Sequence, residues 1–394
     1  MFNLPEQVNF LLDKLNSAGY EAYIVGGCVR DLLLDKTPND FDITTSADPN
    51  QIMEVFKEHK LLTVGLKHGT ITVVLNKTPY EITTYRIDKD YSDNRHPDTV
   101  EFTKNLIDDL ARRDFTINAM AYNHKQGIVD AFDGQKDLAA HIIRTVGDPE
   151  KRFNEDALRI LRALRFASTL DFKIEEKTAK SIFQDYHLIS NISKERITTE
   201  LKKLICGKKA GIIFKEFSEV FEKLMPPFKQ NSKMFLNLCP NNISIRLATL
   251  FDFKEDIIEA LNHLCFDKAT VKKAITLVEN KRRRIVGTKA EIKNALRELG
   301  EEIFLDLLAL QKSISLYTKT EYLNLYNLTH QIIENNECYN ISMLDITGDD
   351  LISLGIPKGQ KVGKTLGFIL DLVINGIVEN DKEKIILYLK ESGI

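Results

Sequence analysis

The sequence predicts an α+β protein, in which a mixed α/β head over residues 1–148 is followed by helices to the end of the 394-residue chain. Three observations carry this. Between about residues 8 and 145, apolar segments with helical spacing alternate with short β-branched runs, and beyond Pro149 the strand signal disappears. Within the head, a strand ending in Gly26-Gly27 is followed at Asp40-Phe41-Asp42 by a second strand carrying two carboxylates.

Taken in order, an amphipathic helix over 8–19 leads into a strand at 22–25, a helix opening near Val29 and a strand over 40–44. A helix over 49–60 precedes β-rich stretches at 69–75 and 80–86. Past Pro149, helix-period segments run over 154–168, 175–186 and 194–204, with at least five more behind them. The Pro/Asn-rich stretch 238–243, the Gly287-Thr288 break and the turn cluster 348–363 are the expected joints between helical modules.

Composition excludes several classes. Apolar residues at 43%, charged residues at 28% and a formal net charge of −3 describe a globular chain without overall basic bias, so a nucleic-acid surface must be local. Residues 151–203 supply one, with 12 Lys/Arg against 8 Asp/Glu, and Lys281-Arg282-Arg283-Arg284 is a second basic run, as readily solvated as bound. The five cysteines are scattered without C-x-x-C spacing, which argues for reduced thiols, and no His shows metal-ligand spacing, so no zinc is expected. No run of 18 apolar residues and no signal-like start is present; a cytoplasmic location without membrane association is expected.

The chemistry lies in three clusters. Residues two apart on a strand share a face, with roughly 7 Å between Cα atoms, so Asp40 and Asp42 can chelate cations while Phe41 and Ile43 point inward. Gly26 and Gly27 let a phosphate approach the backbone, and Arg30 in the following helix can neutralise one of its oxygens. Glu81, on the strand over 80–86, is the expected third carboxylate of a two-cation site. Together these describe nucleotidyl transfer. The second cluster is Arg112-Arg113-Asp114-Phe115-Thr116-Ile117-Asn118, whose apolar members must be buried, which places Arg113 and Asp114 at the cleft edge. Asp114 is as suited to orienting Arg113 or a ribose as to binding metal. In the third, Asn154 is the expected helix N-cap, and Asp156, Arg159, Arg162 and Arg165 follow at i+3 intervals opposite Leu158, Leu161 and Leu164. By spacing alone the polar stripe is a solvated face laced with intrahelical ion pairs. Base chemistry offers another use. A carboxylate accepting from an exocyclic amine beside a guanidinium donating to a ring nitrogen matches cytosine and adenine, whereas uracil and guanine would meet the pair acceptor to acceptor and donor to donor.

These clusters, with Val129-Asp130-Ala131-Phe132-Asp133-Gly134-Gln135 and Ile143-Arg144-Thr145-Val146-Gly147-Asp148-Pro149 between them, resemble the class II tRNA nucleotidyltransferase and bacterial poly(A) polymerase family, densely over residues 20–205. The resemblance implies a polymerase-β-like nucleotidyltransferase head (1–148), a base-recognising neck (149–205), a body (206–285) and a tRNA-binding tail (286–394), the tail by the likeness of residues 345–364. It implies Asp40, Asp42 and Glu81 as catalytic, with Mg²⁺ on Asp40 and Asp42. Nucleotide contacts are implied for Gly26, Gly27, Arg30, Arg113, Asp114, Asn118, Asp156, Arg159, Arg162 and Arg165. The partners are tRNA, ATP and CTP; the sequence gives no oligomeric state.

Within the family the chain looks like a CCA-adding enzyme. It lacks the basic C-terminal extension common in poly(A) polymerases, and it carries over 86–98 a loop, with Tyr91, Asp93 and Arg95, that enzymes adding only CC lack. Enzymes that add only the final A keep such a loop, so the A-adding half of a split system stays open. A non-catalytic RNA binder would have no need of Asp40 and Asp42 beside RNA phosphates, and a small acceptor such as an aminoglycoside would leave the long helical part unexplained.

Overall fold

A computed structural model describes residues 2–89, 99–228 and 235–392. The chain forms two compact units, residues 1–230 with 260–265, and residues 231–259 with 266–394.

In the first unit, helix α1 (Glu6–Ser17) buries Val8, Leu11, Leu12 and Leu15, the 3.6-residue stripe its sequence dictates. Strand β1 (Ala22–Val25) is buried throughout and runs at Gly26 into α2 (Gly27–Leu33). The strands β2 (Ile43–Thr45), β3 (Lys60–Leu62), β4 (Thr70–Leu75), β5 (Thr78–Thr84), β8 (Met120–Asn123) and β9 (Gly127–Asp130) complete a seven-stranded sheet in the order β3-β4-β5-β2-β1-β8-β9. Its pairs are antiparallel except β2–β5, which run parallel with Ile43 opposite Ile82. That parallel pair sets the site, because it brings the residues just before Ile43 level with Glu81.

Between β5 and β8, β6 (Arg86–Lys89) and β7 (Thr99–Phe102) pair as a separate antiparallel hairpin, followed by α4 (Leu106–Ala111). The first four residues of the expected loop, Arg86–Lys89, are therefore laddered strand. Tyr91, Asp93 and Arg95 lie outside the described residues.

Helices α5 (Gly134–Ala139), α6 (Pro149–Glu155), α7 (Leu158–Leu170), α8 (Glu176–Asp185) and α9 (Lys194–Ile205) follow. Four sequence expectations change here. The strand expected over 40–44 begins at Ile43, although the Asp42 carbonyl still accepts from the Val25 N–H at 3.0 Å. The helix expected over 49–60 is α3 (Pro49–Val55), after which Phe56 is fully buried and the chain turns. The helix expected over 154–168 is two helices. Asn154 is inside α6, which is capped instead by Asp148 with Pro149 in the first turn, and Asp156 sits in extended conformation (φ −142°, ψ 103°) between α6 and α7. Its Oδ1 accepts from the Leu158 N–H at 3.1 Å, the local side-chain bond by which aspartate competes with helix continuation. A two-residue strand, β11 (Lys173–Ile174), also lies beyond Pro149 and pairs in parallel with β10 (Ile142–Ile143).

The second unit is helical. One of its cores gathers Ile292, Leu296, Phe304, Leu308, Leu325 and Ile332, and another Leu351, Ile369, Leu370, Ile385 and Leu389. The basic run is bound up in surface pairs here: Arg282 meets Asp252 at 3.2 Å, Arg283 meets Glu298 at 2.6 Å, and Arg284 meets Glu321. No helix among the described residues is long and apolar enough to cross a membrane.

Candidate active site

The site is built where β1, β2 and β5 end. Gly26 has φ +82°, a conformation that side chains rarely adopt, and a Cβ there would stand 2.9 Å from Arg113 Nη1. The glycine is thus required twice, once by its backbone and once by the guanidinium that packs on it. Gly27 has ordinary backbone; a Cβ there would meet Arg30 at 3.6 Å.

Asp40 and Asp42 both face solvent, Ile43 is buried, and Phe41 is half-buried. Asp42 is open to water and yet crowded by protein, as in a cleft. That crowding is the main cause of an upward pKa shift; the Arg113 charge opposes it, and the carboxylates of Asp40 and Glu81 add to it. Glu81 is therefore placed, as expected, within electrostatic reach of Asp42. Among the described residues no three acidic, histidine or cysteine side chains are already drawn together around an ion. The donor set nevertheless fits a hard divalent cation: oxygen ligands, mutual repulsion and one carboxylate whose charge is disfavoured until a cation arrives.

Arg113 is set from below by Asp109, which has no exposed surface and accepts from Arg113 Nη2 at 3.3 Å. Sequence reasoning missed Asp109, although its i−3 and i−4 spacing from Arg112 and Arg113 at the end of α4 was a usable signal.

Of the remaining predicted residues, Arg30, Asn118, Asp114, Arg162 and Arg165 form one connected network, and Asp156 and Arg159 are tied separately. Arg30 is buried and donates from Nη1 to Asn118 Oδ1 at 2.7 Å, and from Nε and Nη2 to Asp31, while its guanidinium lies 5.0 Å from the Phe166 ring. This differs from the free phosphate ligand expected of it: Arg30 holds Asn118. Asn118 Nδ2 donates to Asp114 Oδ1 at 3.1 Å, and Asp114 Oδ2 accepts from Arg162 Nε at 2.7 Å. Arg162 and Arg165 both reach Glu200 on α9, at 3.6 and 2.6 Å. Asp156 Oδ2 accepts from Arg196 at 2.9 Å, and Arg159 donates to Glu155 Oε2 at 2.7 Å and to the Arg112 carbonyl at 3.0 Å. Of the ion pairs expected within one helical face, none joins Asp156 to Arg159; Asp114, Glu155, Arg196 and Glu200 are the partners. Glu155 was legible from its i,i+4 spacing to Arg159, but no sequence signal aims Arg196 or Glu200 at residues some 40 positions away.

Asp114 titrates accordingly. Burial alone would raise its pKa, but the Arg162 guanidinium and the Asn118 amide outweigh this and hold the carboxyl at about 2. A depressed folded pKa contributes stability above the unfolded value, and the contribution is lost as pH falls through the folded one. The window is thus pH 4 down to 2. Asp114→Asn is expected to cost about 2–4 kcal/mol in urea melts at pH 7, by leaving Arg162 without the closer of its two carboxylates, and the gap to wild type should narrow below pH 4. A gap independent of pH would contradict the assignment.

Residues 22–144 match the poly A polymerase head domain, 171–228 the RNA- and SrmB-binding site of polymerase A, and 243–389 the tRNA nucleotidyltransferase domain 2. The CCA-adding enzyme of Lactobacillus delbrueckii subsp. bulgaricus is 38% identical, with 96% of each chain covered, and that of Enterococcus faecalis 36% identical, with 97% of this chain and 94% of the relative covered. The crystal structure of the Bacillus stearothermophilus CCA-adding enzyme in complex with CTP superposes with a TM-score of 0.82 at 31% identity, covering 100% of this chain and 98% of that one. The Thermotoga maritima CCA-adding enzyme complexed with tRNA shares the fold, with a TM-score of 0.73 at 23% identity over 99% and 97% of the two chains. With identity sustained over nearly the whole of both chains, this protein belongs to the CCA-adding enzyme family of tRNA nucleotidyltransferases.

Proposed function

We propose that this chain adds CCA to the 3′ end of tRNA from CTP and ATP, releasing pyrophosphate, with protein side chains in place of a nucleic-acid template. One observation carries the reading. Arg159 bonds the Arg112 carbonyl and Arg162 bonds Asp114, so the stripe suited to reading a base is tied to the segment whose Arg113 acts on Asp42. Base selection and phosphoryl chemistry thereby share one frame.

In this reading Asp156 accepts from the exocyclic amine of C or A, and Arg159 donates to the adjacent ring nitrogen. The hydrogen bonds among the described residues leave lone pairs on both Asp156 oxygens, and leave the Arg159 Nε–H and one Nη2–H to offer. Arg113 lies over the glycine cradle, where a triphosphate would bring negative charge. Asp114 and Asn118, locked in their network, present fixed polar atoms to the ribose side of the cleft. Asp40, Asp42 and Glu81 would hold Mg²⁺, which when bound neutralises triphosphate charge and lowers the pKa of the attacking 3′-hydroxyl. No covalent enzyme intermediate is needed.

The division into head (1–148), neck (149–205), body (206–285) and tail (286–394) belongs to the same reading, as do a cytoplasmic location, where tRNA and nucleoside triphosphates occur together, and a role for Tyr91, Asp93 and Arg95 in the switch to A addition.

The test is product length on tRNA ending at the discriminator base. CTP alone should give two additions, CTP with ATP three, and ATP alone one addition on tRNA already ending in CC. Addition confined to CC-ended tRNA would make this the A-adding half of a split system, and open-ended A tails would make it a poly(A) polymerase.

A further inference from the structure

The charges beneath Arg113 lead away from the site along a path that base reading does not use. Arg112 caps the end of α4 and donates from Nε and Nη2 to Asp109 Oδ1 at 3.0 and 2.8 Å. Arg113 reaches the other oxygen of the same carboxylate at 3.3 Å, a distance shared by the hydroxyl of Thr44, two residues beyond Asp42. Outward, Arg112 Nη1 meets Asp88 Oδ2 at 3.4 Å, and Asp88, on β6, also pairs with Arg86 at 3.1 Å. The Asp88 side chain is 7% exposed and that of Asp109 0%. This is a desolvated row of charges rather than a surface pair.

The distances rank the dependence. Arg113 is a long side chain whose Nε has no hydrogen-bond partner among the described residues, so its place depends on one 3.3 Å bond to Asp109, on packing over Gly26 and on the attraction of Asp42. The Asp109 carboxylate is oriented by the two closer bonds from Arg112, and Arg112 in turn is steadied at its far end by Asp88. Burial strengthens each link, because an unpaired member would carry an uncompensated charge.

We propose that Asp88, Arg112 and Asp109 form a strut from the root of the β6–β7 hairpin to Arg113, and that these positioning residues fix where the Arg113 guanidinium stands for the incoming nucleotide. The strut makes the hairpin root part of the nucleotide site although it touches no substrate. The inference rests on reading Arg113 as a nucleotide contact.

Steady-state kinetics with CTP varied on tRNA ending at the discriminator base, and ATP varied on tRNA ending in CC, test it in wild type, Asp88→Asn, Arg112→Gln and the double variant. Asp88→Asn should raise the KM for both nucleotides about three- to tenfold while leaving the KM for tRNA unchanged, with the melting temperature lowered by the lost buried charge but still well above the assay temperature. The double variant should be no worse than Arg112→Gln alone, because both act through one chain of contacts. An unchanged nucleotide KM in Asp88→Asn would overturn the strut. So would defects that multiply in the double variant, or losses that follow a fall in melting temperature for tRNA and nucleotide alike. Absence of any addition by wild type would instead overturn the function on which the strut rests.

Discussion

Asp42→Ala is expected to abolish addition of both C and A, by at least about 1,000-fold, while tRNA affinity falls by less than about tenfold. Asp42 is the group whose ionisation protein crowding, Asp40 and Glu81 all oppose, and that Arg113 alone among its largest influences favours. Such a carboxylate stabilises little by itself; in the proposed reading its place is to hold a cation. Its side chain is exposed, so the substitution opens no cavity, and the strand that follows keeps its ladder through Ile43, Thr44 and Thr45. A melting temperature near that of wild type is therefore expected alongside the loss of activity. RNA affinity is a separate quantity, expected to come from phosphate contacts away from Asp42, and should respond to salt equally in both proteins. C addition surviving at near wild-type rate would remove Asp42 from the chemistry.

Much of the head was legible because its signals are local. Alternation located β4 and, two residues late, β5, and the parallel alignment of Ile43 with Ile82 explains why Glu81, chosen from strand context and chain order, stands by Asp42. Gly26 stands out in the sequence as half of a glycine pair open to a phosphate; its positive φ and the close Arg113 guanidinium are further reasons that only the structure supplies. The helix break at Asp156 was missed because Glu155-Asp156-Ala157-Leu158 continues a helical period that one side-chain bond to Leu158 interrupts. The solvated-face reading of Arg162 and Arg165 failed for a different reason. Their partners, Asp114 and Glu200, come from elements 35 or more residues away, and helical spacing carries no information about what packs against a face. Arg30 shows the same limit, since its spacing permits a phosphate ligand, while the packing of Asn118 and Phe166 around it is a tertiary fact.

Asp156→Ala tests most directly whether protein side chains stand in for a template. With both oxygens gone, cytosine loses an acceptor for its amine, at a cost of about 1–3 kcal/mol, and uracil no longer meets a carboxylate opposite its carbonyl. Both changes act in the same direction. Arg196 would lose its partner and Leu158 its capping bond, so melting temperature must be followed in parallel, with Asp156→Asn as the variant that keeps one acceptor oxygen. The decisive measurement is the ratio of CTP to UTP incorporation by a single turnover on tRNA ending at the discriminator base. The expected result is a discrimination at least about tenfold lower in Asp156→Ala than in wild type, with Asp156→Asn between them. An unchanged ratio in a folded Asp156→Ala protein would contradict base reading by the stripe and reduce Asp156 to a helix cap.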